Sequence, residues 1–145
     1  MTTLHPYVRY NDAKCREAFT FYQSILGGKL AFMTAGESPM ATEFPEDKKG
    51  LIMHAELVNG DIKLYGSDMM RDVAKVGDNF CMSLNYDNEK ELRDHFTKLS
   101  QGGEVFMAPE KAFWGAIFGM VTDKYGIEWM VNYQMDQKDM KGAKN

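Results

Sequence analysis

The sequence predicts an α+β protein built from two tandem βαβββ modules whose curved mixed sheets surround a cavity. Two observations carry that expectation. The chain repeats itself: Asn11-Asp12 opens a helical stretch that ends at Gly27-Gly28, before the apolar run Lys29-Leu30-Ala31-Phe32-Met33. Tyr86-Asp87 opens another, ending at Gly102-Gly103 before Glu104-Val105-Phe106-Met107, and Phe21 recurs as Phe96 at the same offset. Each copy then closes with a hairpin, turning at Asn59-Gly60-Asp61 and at Asp123-Lys124-Tyr125-Gly126. Repeated supersecondary units bury their apolar faces against one another, so the place where the copies meet is where function is sought.

The first module is expected over residues 1–68. Leu4 to Tyr10 reads as a strand, and Asp12 can cap the helix that follows. Ala18, Phe19, Tyr22, Ile25 and Leu26 recur at helical spacing and form its buried stripe. Gly27-Gly28 ends the helix, because glycine accepts the left-handed conformation of a helix C-terminus. A strand over 29–35 leads into a polar loop over 36–50, expected to be mobile, with Pro39, Pro45 and the charged run Glu46 to Lys49. Two strands, 51–58 and 62–66, flank Asn59-Gly60, a strong hairpin signal.

Residues 69–78 read as a linker, with Met69 and Met70 as its apolar exceptions. The second module is expected over 79–133. It comprises a strand over 79–86, a helix over 88–100 with Leu92, Phe96 and Leu99 inward, and strands over 104–108, 114–122 and 127–132. The segment 134–145 reads as a polar tail.

The composition narrows the function classes. The chain has 145 residues, enough for one domain or two half-domains, and 17 Lys+Arg against 21 Asp+Glu give a net charge of -4. Nothing in that balance attracts nucleic acid or a membrane surface. No apolar run reaches the roughly 20 residues that span a bilayer, and Met1-Thr2-Thr3-Leu4-His5-Pro6 lacks the pattern of a secretion signal. The 2 cysteines, Cys15 and Cys81, are no disulfide framework, so a cytoplasmic setting is expected. The 12 methionines suit a filled core or a tolerant pocket.

Several stretches carry a family resemblance. They are Tyr7 to Asp12, Arg16-Glu17-Ala18-Phe19-Thr20-Phe21-Tyr22 with Gly27-Gly28, Met53-His54-Ala55-Glu56-Leu57, and Trp114-Gly115-Ala116-Ile117-Phe118-Gly119-Met120 leading to Asp123 and Gly126. In this order within a repeat, the chain resembles the vicinal-oxygen-chelate superfamily of glyoxalase I, bleomycin-resistance proteins and extradiol dioxygenases. Within it, the chain is most similar to the PhnB-type group. The resemblance implies a homodimer. It also implies four metal ligands, a His on the first strand and a Glu on the last strand of each copy, holding a divalent ion that acts as a Lewis acid.

Carried onto this sequence, the first-strand positions fall on His5 and Cys81. The closing-strand positions, counted from the turn glycines, fall on Leu64 and Met130. Leucine cannot bind a metal, and methionine sulfur is a soft ligand unsuited to a hard, oxygen-exchanging ion. No cofactor is therefore expected, and a glyoxalase-type centre is not. A rebuilt divalent site remains open: His54 and Glu56 share a strand face, Glu128 lies two before Met130, and with His5 they make a two-histidine, two-carboxylate set. The other reading of His54 and Glu56 is a hydrogen bond across the sheet or a subunit interface.

Strand alternation puts His5, Tyr7 and Arg9 on one face, and Cys81, Ser83 and Asn85 on the corresponding face of the second copy. Large apolar residues belong against the helices, so Tyr7, Arg9, Cys81, Ser83, Trp114 and Met130 are the expected ligand-binding residues, with His5 and Glu128 the candidate catalytic bases. Arg9 can anchor a ligand anion or pair with Glu128. Cys81 can be an inert thiol, and Trp114 a packing residue. The expectation is a glyoxalase- and bleomycin-resistance-like protein that binds a small organic ligand in the cavity between modules. The alternative is a metal-dependent lyase, isomerase or dioxygenase using the rebuilt site. Methyl transfer is discounted, since no glycine-rich loop follows a first strand.

Overall fold

The computed structural model describes residues 1–113 and 115–135. The chain divides into two compact units, Met1–Lys75 and a second beginning at Val76. Each holds one four-stranded mixed sheet, not closed into a barrel, and one long helix. No helix among the described residues is long and apolar enough to cross a membrane.

The first unit runs β1 (Tyr7–Tyr10), α1 (Cys15–Leu26), β2 (Lys29–Thr34), β3 (Ile52–Asn59) and β4 (Ile62–Asp68). The sheet order is β1-β4-β3-β2, with β1 parallel to β4 and the other neighbours antiparallel. The expected helical stripe is the buried one: Ala18, Phe19, Tyr22, Ile25 and Leu26 all face inward, joined by Cys15. Gly27 ends the helix at φ 73, its N–H bonded to the Gln23 carbonyl.

The start of α1 differs from the sequence expectation. Asp12 does not cap it; Asp12 and Ala13 take positive φ values of 57 and 56, and the residue at the cap position is Lys14, which offers no side-chain acceptor. The acceptor comes from the far end of β4. Buried Asp68 takes the Cys15 N–H on Oδ1 at 2.9 Å and the Ile52 N–H on Oδ2 at 2.8 Å. One carboxylate therefore satisfies a helix N-terminus and a strand start together. A local capping signal cannot reveal an acceptor that lies so far along the chain.

The 36–50 loop holds local structure of its own. It contains short 3-10 turns at Ala41–Glu43 and Glu46–Lys48. Gly36 N–H bonds to the Lys49 carbonyl at 2.9 Å, and Lys48 Nζ donates to the Met70 carbonyl at 2.8 Å.

The second unit runs β5 (Met82–Tyr86), α2 (Glu89–Leu99), β6 (Glu104–Lys111), β7 (Ala116–Thr122) and β8 (Glu128–Gln134), in sheet order β5-β8-β7-β6. Here a local cap does operate: Asn88 Oδ1 accepts the Glu91 N–H at 2.8 Å. Leu92, Phe96 and Leu99 are buried as expected. Phe80 is 68% exposed and lies ahead of β5. β8 runs past Asn132 to Gln134, and the Met135 N–H bonds to the Gly115 carbonyl at 3.0 Å. Trp114 and the rest of the expected tail, 136–145, lie outside the described residues.

One pair in this unit yields a pH prediction. His95 Nδ1 and the Tyr86 hydroxyl lie 3.0 Å apart, and burial holds the imidazole below its ordinary pKa, outweighing the opposite pull of Glu91. The folded pKa is the lower one, so the folded state binds the proton less readily than the unfolded chain. The contribution is full above the unfolded value, about 6.5, and is lost as pH falls through the folded value. Urea midpoints should therefore drop on going from pH 7 to pH 5, and His95→Gln should shrink that drop. An equal drop in the variant would rule out His95 as its source.

Candidate functional site

The helices cover one face of each sheet, and the opposite faces carry the polar groups. On the open face of the first sheet, β1 presents Tyr7 and Arg9, β4 presents Tyr65, and β3 presents His54 and Glu56. The register aligns Tyr7 with Tyr65, Glu56 with Tyr65, and Arg9 with Ser67. His5 precedes β1, held beside β4 by the bond from the Tyr65 N–H to the Pro6 carbonyl at 3.1 Å.

The rings on this face gather around Tyr65. Its centroid lies 5.1 Å from that of His5 and 5.7 Å from that of His54, while Tyr7 and His54 are 6.0 Å apart. The Arg9 guanidinium sits 5.5 Å from the Tyr7 ring centroid, within cation–π range. His54 Nε2 and Glu56 Oε1 are 2.9 Å apart, both about half-buried. The face is thus an aromatic floor edged by basic groups, with one carboxylate already committed to an imidazole.

The closing-strand position in this unit is not Leu64. Leu64 is only 4% exposed, on the strand face that carries Gly66, against which the Phe19 ring of α1 packs, and the open-face residue is Tyr65. Pairing explains the slip. Counting four from each turn glycine lands on the third paired residue of β4 and of β8, but Leu64 is opposite Leu57 on the helix-packed face, whereas Met130 is opposite Met120 on the open face.

In the second unit Met130 does occupy the open face, opposite Ser83 on β5. Cys81 lies just ahead of β5, its Sγ 3.3 Å from Met130 Sδ. Glu128, half-buried on the same face, pairs in register with Thr122. The other thiol, Cys15, is fully buried, and burial together with nearby Asp68 pushes its pKa up to about 12.

His5, Tyr7, Arg9, His54 and Glu56 thus share one face of the first unit, and Cys81, Ser83, Glu128 and Met130 one face of the second. The sequence reasoning missed Tyr65; hairpin register was the only signal that could have found it.

The family's divalent ion can be tested against these donors. The first-strand and closing-strand positions are His5 with Tyr65 in one unit and Cys81 with Met130 in the other. That set has one imidazole, one phenol, one thiol and one thioether, and no carboxylate. It does not fit a hard ion with exchangeable oxygen ligands. No group of three or more His, Cys, Asp and Glu side chains able to hold a metal occurs among the described residues.

Comparison with known proteins agrees with the architecture. The profile of the Glyoxalase/Bleomycin resistance protein/Dioxygenase superfamily matches residues 4–131. Protein YjdN of Escherichia coli K12 is 29% identical over 143 residues, covering 92% of this chain and 97% of its own. The crystal structure of PA1353 from Pseudomonas aeruginosa shares 40% identity with a TM-score of 0.83, covering 94% of this chain and 100% of that one. The PhnB protein from Bacillus cereus superposes with a TM-score of 0.73 at 19% identity, covering 91% and 99%, a likeness of fold alone. With its two βαβββ units and this match over nearly its whole length, the chain belongs to the glyoxalase/bleomycin resistance protein/dioxygenase superfamily.

Proposed function

We propose that this protein binds a small, partly polar organic ligand on the open faces of its sheets, without a glyoxalase-type metal centre. The observation that carries the reading is the aromatic and basic surface of Tyr7, Arg9, His54 and Tyr65, together with closing-strand positions in both units that lack carboxylates. Aromatic walls with a few convergent polar groups are what a site for a small organic molecule needs. Arg9 would anchor an anionic group of the ligand, and Tyr7 and Tyr65 would stack on its apolar part.

The metal-dependent alternative is not favoured. Of its four groups, Glu56 is paired with His54 on one strand, and His5 packs against Tyr65. The likeness to the Bacillus PhnB protein supports a PhnB-type assignment. The reading takes the protein as a cytoplasmic homodimer. Edge strand β6 exposes Val105, Phe106 and Met107, which a second copy would cover.

Two measurements test the proposal. Untagged protein loaded with Ni, Co, Zn or Mn and analysed by mass spectrometry should retain no stoichiometric ion; one ion per chain, lost in His5→Ala, would sink it. A thermal-shift screen of small aromatic acids, amines and neutral heterocycles should then reveal a class that stabilises the protein. Saturation at a hundredfold excess over Kd is worth about 2.7 kcal/mol, and Arg9→Ala with Tyr65→Ala should abolish it. A screen in which no compound raises Tm, or in which these substitutions leave the rise intact, would count against the assignment.

A further inference from the structure

The thioether and thiol that spoil a hard-metal site are themselves a ligand set for another class of ion. Cys81 Sγ and Met130 Sδ lie 3.3 Å apart on the open face of the second sheet. Met130 is directly opposite Met120 across the β7–β8 ladder, and Met120 is directly opposite Met107 across β6–β7. Directly opposed residues share a sheet face, with Cβ atoms about 4.5–5.5 Å apart, so neighbouring methionine sulfurs are within side-chain reach. Cys81, Met130 and Met120 therefore share this face of the sheet, with Met107 beyond them at an irregular stretch of the β6–β7 ladder.

These residues are not part of the helix-packed core. The buried methionine of this sheet, Met82, is 8% exposed and alternates with Ser83 to the opposite side. Cys81, Met120 and Met130 are half-buried, and Met107 is 44% exposed. Solutes can reach Cys81, Met120 and Met130, which have Ser83 opposite Met130 and Glu128 on the same face.

We propose that Cys81 and Met130, with Met120 as a third sulfur, form a binding site for a soft monovalent cation, Cu(I) or Ag(I). Soft sulfur ligands select such ions; Glu128 supplies a carboxylate on the same face, two residues before Met130, but the described residues hold no cluster of three or more His, Cys, Asp or Glu of the kind a harder ion needs. Binding replaces the Cys81 thiol proton by the metal; the proton goes to solvent, and the ion stays monovalent with no electron transferred. Methionine's three rotatable bonds let Met130 and Met120 swing to admit the ion between sulfurs that now touch. Cys15 cannot substitute, because it is fully buried at the start of α1 with its thiol held protonated. The site uses none of Tyr7, Arg9, His54 and Tyr65, the first-sheet residues assigned to the organic ligand.

The test is an anaerobic titration of the full chain with Cu(I) against the chromogenic competitor bicinchoninate, followed by ultraviolet thiolate-to-copper absorption. One equivalent should be retained. Cys81→Ser should weaken retention by more than about 100-fold and Met130→Leu by about tenfold, since an anionic thiolate is a stronger ligand than a neutral thioether. Melting curves of the metal-free variants show whether either change harms folding. Copper K-edge absorption on the unsubstituted protein gives a readout that needs no variant, with an all-sulfur shell expected. Failure to retain Cu(I), retention unchanged by Cys81→Ser or Met130→Leu, or a shell of nitrogen and oxygen would each overturn the proposal.

Discussion

Asp123→Ala is expected to destabilise the second unit by about 3–5 kcal/mol, on the basis of roughly 1–3 kcal/mol for each buried donor left without an acceptor. The carboxylate is 3% exposed at the mouth of the β7–β8 hairpin. Its Oδ1 accepts the Tyr125 N–H at 2.8 Å and the Ile127 N–H at 3.1 Å, and its Oδ2 accepts the Trp129 indole N–H at 2.8 Å. Alanine removes all three acceptor contacts at once, and the indole, itself only 3% exposed, has little water to turn to. Asp123→Asn keeps one oxygen and should lose distinctly less. Both tryptophans, Trp114 and Trp129, fall in this part of the sequence, so urea unfolding followed by tryptophan fluorescence reports on the right unit. An alanine variant within about 1 kcal/mol of the parent would show that water or neighbouring groups replace the carboxylate.

The second large effect belongs to Gly66→Ala in the first unit, expected to cost about 3 kcal/mol by overpacking. A Cβ at Gly66 would lie 2.6 Å from the Val8 carbonyl oxygen and 2.8 and 2.9 Å from two ring atoms of Phe19. Val8 belongs to β1, paired in register with Gly66, and Phe19 is completely buried in α1. The glycine is thus required by space, where strand and helix approach each other, and not by an unusual φ. Far-UV circular dichroism during urea unfolding measures the loss. Phe19→Leu in the same chain should relieve the ring clash but not the backbone one, so the double variant should be less destabilised than the sum of the singles. Strict additivity would mean that the ring is not what resists the methyl group.

These two sites show where sequence reading stopped. Asp123 was legible as a turn residue, since an Asp before Lys-Tyr-Gly signals a turn, but its hold on Trp129 was not. Gly66 was read only as the last residue of a strand. The same limit applied at the start of α1, where the acceptor for the first helical N–H proved to be Asp68 instead of Asp12. Each miss involves a partner distant in sequence, and side-chain periodicity carries no information about such partners.

What the sequence determined by itself is the repeat and everything that follows from local periodicity. The two βαβββ units, their helical stripes and glycine stops, and the grouping of His5, Tyr7 and Arg9 on one face and of Cys81 and Ser83 on another were all readable. So was the absence of carboxylates at the residues then assigned to the closing strands. The tertiary structure decided register. Cross-strand pairing set Leu64 opposite buried Leu57 and Tyr65 opposite Glu56 on the open face, which brought Tyr65 beside His5 and His54. It also decided that Met120 and Met130 stand opposite each other across β7 and β8. The physical reason is the two-residue period of a strand: composition and alternation say which residues share a face, but only hydrogen-bonded pairing says which strands place them side by side.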